Sequence, residues 1–213
     1  EGWTYAAALS EAQSLGYAER DPTADVEGFD AGAKAAILAT IAFGAKVVAG
    51  DVYHEGISEV TPADIAFATR LGYVVKLLAI AERFDDGSVA VRVHPAMVPA
   101  DHPLAAVRDS FNAVFVEGSA VGELMFYGRG AGGAPTASAV LGDVVSAARH
   151  RVLGGKGPIE SSYAQLPVLP ASQALTRVQI RIDVQDRPGV LAKVAAVVAE
   201  HGVSIEAVRQ APV

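Results

Sequence analysis

Four residues near the start of the chain are of the kinds that bind a small charged substrate and move a proton: Glu19, Asp25, Asp30 and Lys34. Asp30 and Lys34 stand four apart, one turn of an α-helix, so a carboxylate there can hold an ammonium in a fixed direction. An ammonium so held stabilises and protonates an oxygen on which negative charge develops, and further carboxylates at the same helix end suit the amino group of a zwitterion. The bland alternative is an i,i+4 ion pair on a solvated face, contributing roughly 0.3–0.5 kcal/mol. The neighbours speak against it. Ala31, Gly32, Ala33, Ala35 and Ala36 are small, and Ile37, Leu38 and Ile41 continue the lysine's face, so Lys34 is expected to project from a largely buried surface. A buried ammonium must be paired or shift its pKa.

The elements that would position these residues can be read from periodicity. Residues 3–15 carry apolar side chains at helical spacing, and Gly16 stops the pattern. Residues 16–29 hold Gly, Pro and several carboxylates, which is the chemistry of an acidic loop. From Asp30, at the expected N-cap, to about Lys46 the chain is Ala-rich and free of Pro, which predicts a buried helix. Thr61-Pro62-Ala63-Asp64 opens another helix that ends near Gly72. Residues 73–84 and 88–97 flank Asp85-Asp86-Gly87-Ser88 as a hairpin, and 111–118 and 121–127 add two short strands around Gly118-Ser119. Four strands joined by short turns predict one antiparallel or mixed sheet. A helix follows over about 134–150. The fold class is therefore α+β, a mostly antiparallel or mixed sheet with helices packed on it.

Gly128-Arg129-Gly130-Ala131-Gly132-Gly133 satisfies G-x-G-x-x-G between a strand and a helix, the arrangement that cradles a dinucleotide. The preceding strand belongs to an antiparallel-looking set, and no strand ending in an acid follows about twenty residues on. A tight strand-to-helix turn accounts for the motif equally well.

Residues 151–175 hold three Pro and three Gly without periodicity and read as a linker, which divides the chain into 1–150, 151–175 and 176–213. In the last part Val178, Ile180, Ile182 and Val184 alternate as a strand, Asp186-Arg187-Pro188-Gly189 turns the chain, 190–201 is an amphipathic helix and 203–208 a further strand. This predicts a partial βαβ unit.

Composition removes several classes of function. With 51% hydrophobic and 19% charged residues the chain can bury a substantial core, and no stretch reads as a membrane span. The net charge is -7 and the 17 basic residues are scattered, so nucleic acid is not an expected partner. The chain has no Cys, which excludes disulfides and thiolate metal sites and fits a cytoplasmic location. His54, His94, His102, His150 and His201 lack metal-ligand spacing and read as structural.

From Ala12 to Lys34 the chain reads AQSLGYAERDPTADVEGFDAGAK. This order, a Gly–aromatic pair, Asp–Pro, and then Asp25, Gly28, Asp30 and Lys34, resembles the homoserine dehydrogenase signature. GISEVTPADI, LGYVVKLLAIA, VRVHPAMVP, HPLAAV and NAVFVEG also resemble that family's substrate domain, so the likeness extends over about residues 1–150. It implies NAD(P)-dependent interconversion of L-homoserine and L-aspartate 4-semialdehyde, on the route to threonine, methionine and isoleucine. Glu19 and Asp25 would contact the substrate. Asp30 and Lys34 would sit at the reacting carbon, with Lys34 protonating the aldehyde oxygen as hydride arrives. Tyr127–Asp143 matches a loop that reaches toward the nicotinamide, where Gly130 and Gly132 would let the backbone come close. The resemblance also implies a monovalent cation whose ligands lie outside this sequence, and a homodimer or tetramer built on the sheet.

Asp183 to Leu191 (DVQDRPGVL) resembles the start of an ACT domain, a ferredoxin-like regulatory unit, and implies an amino-acid effector such as threonine. The family's dinucleotide-binding domain, which decides between NAD and NADP and brings a further catalytic lysine, has no counterpart in this sequence. The chain is expected to be a fragment that is inactive alone. Two other readings stand beside this one: a non-catalytic amino-acid-sensing module with a dimerising sheet, and the dehydrogenase portion of an aspartate kinase fusion. The ACT-like unit lying after the catalytic part favours the stand-alone enzyme over the fusion.

Overall fold

The computed structural model describes residues 2–130, 132–155, 162–174 and 176–210. In chain order its elements are α1 (Tyr5–Ser14), α2 (Thr23–Val26), α3 (Phe29–Phe43), β1 (Tyr53–His54), α4 (Pro62–Arg70), β2 (Tyr73–Arg83), β3 (Val89–Pro99), β4 (Phe111–Gly118), β5 (Gly122–Arg129), α5 (Gly133–Leu153), β6 (Val168–Leu169) and α6 (Val190–Glu200). Contacts divide the chain into two units, Glu1–Ala174 and Leu175–Val213.

The centre of the first unit is the hairpin of β2 and β3, antiparallel from Tyr73↔Pro99 to Arg83↔Val89. Asp86 shapes its turn by accepting from the backbone and hydroxyl of Ser88. Since β2 occupies one edge of β3 along its whole length, the other edge is shared. Val89 and Ala90 pair there with β6, and Arg92 and Val93 with β1, both in parallel. Val89, Val91 and Val93 point to one face, and α3 lies on them through Ala35, Ala36 and Ala39. Burying each valine contributes about 1.5–3 kcal/mol. On the other face Arg92, itself buried, is paired with Glu82 of β2. The start of α4 follows the sequence reading: Thr61 accepts from Asp64 N at 3.3 Å, and Asp64 accepts from Thr61 N at 3.0 Å.

Three expectations about the backbone of this unit are corrected. The helix carrying Lys34 begins at Phe29 behind Gly28, so Asp30 lies inside the first turn rather than at the N-cap; Gly28 takes the left-handed conformation there, with φ of 78°. The four strands do not make one sheet. Strands β4 and β5 form a separate two-stranded sheet, Phe111↔Arg129 to Gly118↔Gly122, after the chain leaves β3 through a 3-10 turn at Pro103–Ala106 and a left-handed Asp109. Residues 162–174 do not run free as a linker. Ala164 bridges to Ala45, β6 completes the edge of β3, and Ala174 is buried. Residues 156–161, within the expected linker, lie outside the described residues.

In the second unit α6 forms as expected, entered by Gly189 at φ of 87°. Among the described residues the flanking segments 176–184 and 203–208 make no strand ladder. Alternation of Val178, Ile180, Ile182 and Val184 suits a pleated strand, but a strand needs a backbone partner, and between the two segments Arg177 reaches Glu206 through its side chain at 3.4 Å.

Candidate active site

The acidic loop and the start of α3 are built on glycine. Gly28 is buried, and a Cβ there would come within 2.8 Å of Val93 Cγ1, so only glycine lets the loop turn this tightly onto the sheet. The turn is short enough to set Asp25, in α2, and Asp30, in α3, on either side of it. Asp30 then reaches Lys34 one turn on, with Oδ2 accepting from Nζ at 2.5 Å.

Lys34 is not on a buried surface. Its side chain is 67% exposed and that of Asp30 47%. Helix α3 has two hydrophobic sides of different kinds, which explains the inversion. Its small side, Gly32, Ala35, Ala36 and Ala39, lets the helix axis approach the valines of β3 closely and is therefore the buried one. Its large side, Ile37, Leu38 and Ile41, faces outward with Asp30 and Lys34. An ammonium held by a carboxylate thus stands in a row of exposed branched side chains. Beside the row lies an open apolar groove of about 480 Å³, between α3 at Ala36 and Thr40 and the segment Val47–Ala49.

Glu19 and Asp25 are both exposed. The loop carrying Glu19 is tied to α1 by Gln13 Nε2, which donates to Glu19 O at 2.9 Å. Asp21, nearby, accepts from the Thr23 hydroxyl at 2.7 Å and from its backbone at 3.2 Å, and these bonds hold its carboxyl below the usual carboxylate range. The direct contact within the predicted set is Asp30 to Lys34. Among the described residues no three carboxylates or imidazoles converge as a metal-holding group.

Sequence reasoning passed over Glu27 and Ser58. Glu27 is the acid of the loop that turns inward, and Ser58 Oγ donates to its Oε1 at 2.8 Å. Nothing in the local pattern separates Glu27 from Asp25, since its partner lies thirty-one residues away.

The glycine loop leaves the far end of β5. The hairpin is pinned at that point: Phe111 stacks on Tyr127 with ring centroids 4.8 Å apart, and the Arg129 guanidinium lies over Phe111 while donating to Ser110 Oγ at 3.1 Å. Gly132 has a φ of 121°, a region that side chains avoid. Gly130 owes its identity to a neighbour, since a Cβ there would lie 2.1 Å from Asn112 Nδ2. Around Gly128 and Gly133 an added Cβ would meet nothing within 4 Å, so bare backbone is presented outward.

The homoserine dehydrogenase family model matches residues 1–145, and the ACT domain model matches residues 178–213. A homoserine dehydrogenase of Mycobacterium tuberculosis is 62% identical over 213 residues, and one of Corynebacterium glutamicum is 56% identical over the same length; each alignment covers 98% of this chain and 48% of the relative. The crystal structure of a homoserine dehydrogenase from Thiobacillus denitrificans superposes with a TM-score of 0.87 at 39% identity, covering 99% of this chain and 50% of that one. A hyperthermophilic archaeal homoserine dehydrogenase in complex with NADPH matches with a TM-score of 0.55 at 33% identity, over 69% of this chain and 41% of that one. The chain spans about half the length of the relatives it matches.

Proposed function

The chain belongs to the homoserine dehydrogenase family, and from that premise we propose that it forms the substrate-binding half of a cytoplasmic, NAD(P)-dependent enzyme that interconverts L-homoserine and L-aspartate 4-semialdehyde. The observation that carries this reading is Lys34, held by Asp30 on an exposed apolar face of α3. Covering that face with the remaining half of the enzyme would exclude water and strengthen the charge of Lys34 at a reacting carbonyl.

The cofactor, when bound, supplies or takes the hydride. As the aldehyde carbon becomes tetrahedral, negative charge gathers on its oxygen, and Lys34 Nζ gives that oxygen a proton while Asp30 fixes the direction of transfer. In the oxidative direction the Lys34 amine takes the hydroxyl proton. Glu19 and Asp25 hold the substrate's ammonium group. The chain's residues suit the nicotinamide end of the cofactor: Gly132, at φ of 121°, and the uncovered backbone at Gly128 and Gly133 put no side chain in the way of a flat ring. Among the described residues there is no doubly wound strand pair for the rest of the dinucleotide.

The ACT match supports an amino-acid effector for the second unit, threonine by the family resemblance. The exposed apolar side chains of the β4–β5 hairpin, Val114, Val116, Leu124 and Phe126 among them, support a homodimer or tetramer built through it. A purely sensory module has no use for a paired lysine among exposed isoleucines, which favours the enzyme.

The test is to join the chain to the half its relatives possess and assay homoserine oxidation. Activity is expected with NAD or NADP, and Lys34→Ala should lower kcat by about 10²–10⁴-fold. Undiminished turnover in that variant would remove Lys34 from the chemistry, and an inactive wild-type enzyme would overturn the assignment.

A further inference from the structure

The acidic loop is held by a strap from another part of the chain. Residues Glu55–Ser58 leave β1 and cross directly over it. Glu55 N donates to Val93 O at 2.8 Å, Ile57 N to Val26 O at 2.8 Å, and Ser58 Oγ to Glu27 Oε1 at 2.8 Å. Gly56 makes the crossing possible, because a Cβ there would lie 2.4 Å from Glu27 Oε2, 2.7 Å from Val26 O and 2.8 Å from Glu27 Cα. Gly28 makes a matching close approach onto Val93. One strand residue, Val93, thus meets both the strap and the loop, and Glu27 is clasped between Gly56 and Ser58.

We propose that Glu27 and Ser58 are positioning residues: their hydrogen bond locks the loop that carries Asp25 and leads into Asp30, and so sets the place of the substrate's charged groups relative to Lys34. The inference rests on the functional reading above, which gives Asp25 and Asp30 their roles. Glu27 is suited to the task because it points inward while Asp25 and Asp30 face solvent. Its bond to Ser58 is charge-assisted and half-buried, hence stronger than a bond between neutral groups in water. Proton and hydride transfer tolerate little displacement, and a misplacement of about 1 Å can cost on the order of 10²-fold in rate.

A clasp and a direct substrate ligand respond differently to substitution. In the full-length enzyme Glu27→Gln keeps an acceptor oxygen for Ser58 and should leave kcat/KM for homoserine within about twofold of wild type, whereas Glu27→Ala and Ser58→Ala should each lower it roughly tenfold. The double variant should be no worse than either single one, and the KM for the cofactor should stay unchanged in all. Damage by Glu27→Gln equal to that by Glu27→Ala would make Glu27 a ligand through its charge. A silent Ser58→Ala, or additive losses, would equally overturn the clasp. Amide hydrogen exchange gives a readout independent of activity: Glu27→Ala should speed exchange at Ile57, and unchanged protection there would sink the proposal. An enzyme that shows this exchange behaviour but no homoserine oxidation would overturn the functional reading and leave the clasp standing.

Discussion

The side chain of Asn112 fills the space that a Cβ on Gly130 would need, its Nδ2 lying 2.1 Å from where that carbon would be. The two residues meet at the end of the β4–β5 hairpin, where Asn112 pairs in register with Gly128. Gly130 can therefore be a glycine for either of two reasons: to admit the cofactor or to admit Asn112. Substitution separates them. Gly130→Ala in the full-length enzyme should weaken NAD(P)H binding by displacing the loop. Adding Asn112→Ala, which leaves only the Asn112 Cβ at 3.3 Å, should recover most of the loss. Cofactor titration by fluorescence checks this, and a double variant as weak as the single one would return Gly130 to the role of a direct approach to the cofactor.

A similar relation governs the buried side of α3. A Cβ on Gly32 would lie 1.9 Å from His54 Nε2, and the His54 ring packs against Phe29 at 5.2 Å between centroids. Glycine inside a helix normally costs roughly 0.5–1 kcal/mol relative to alanine, so Gly32→Ala would be stabilising on helix propensity alone. The overpacking should reverse the sign and destabilise the chain by about 1–3 kcal/mol. Gly32→Ala combined with His54→Ala should be more stable than Gly32→Ala by itself. Thermal unfolding of the three forms decides it, and a higher melting temperature for Gly32→Ala alone would show that the ring moves aside at little cost.

Local signals were legible wherever the deciding contacts are local. The Asp30–Lys34 pair, the Thr61–Asp64 cap and the Asp85–Ser88 turn each close within four residues, and all three stand as their spacing implies. What escaped the sequence depends on distant partners. Strands β1 and β6 are two residues long and exist because β3 has a free edge. Glu27 turns inward because Ser58 lies above it. The periodicity of α3 showed two apolar sides without showing that the smaller one packs, because close approach to the sheet rewards absence of volume as much as hydrophobicity. The alternating segments 176–184 and 203–208 have the pattern of strands, but pattern does not supply a partner.

Asp86 ties the β2–β3 hairpin to pH. Its Oδ1 accepts from the Ser88 hydroxyl at 2.6 Å and from Ser88 N at 2.9 Å, and these bonds hold its carboxyl below the usual carboxylate range, the hydroxyl contributing most. A carboxyl lowered on folding adds stability that is fully present above its unfolded pKa and is lost as pH falls through the lower, folded value. The hairpin should therefore lose stability on acidification below about pH 4, while nothing changes at this group near neutrality. Asp86→Asn keeps an acceptor oxygen for Ser88 but no longer titrates, so it should flatten this part of the acid limb. Asp86→Ala should flatten it too and also lower stability at neutral pH. Urea unfolding at a series of pH values measures both effects, and an acid limb identical in wild type and Asp86→Asn would show that other carboxylates carry it.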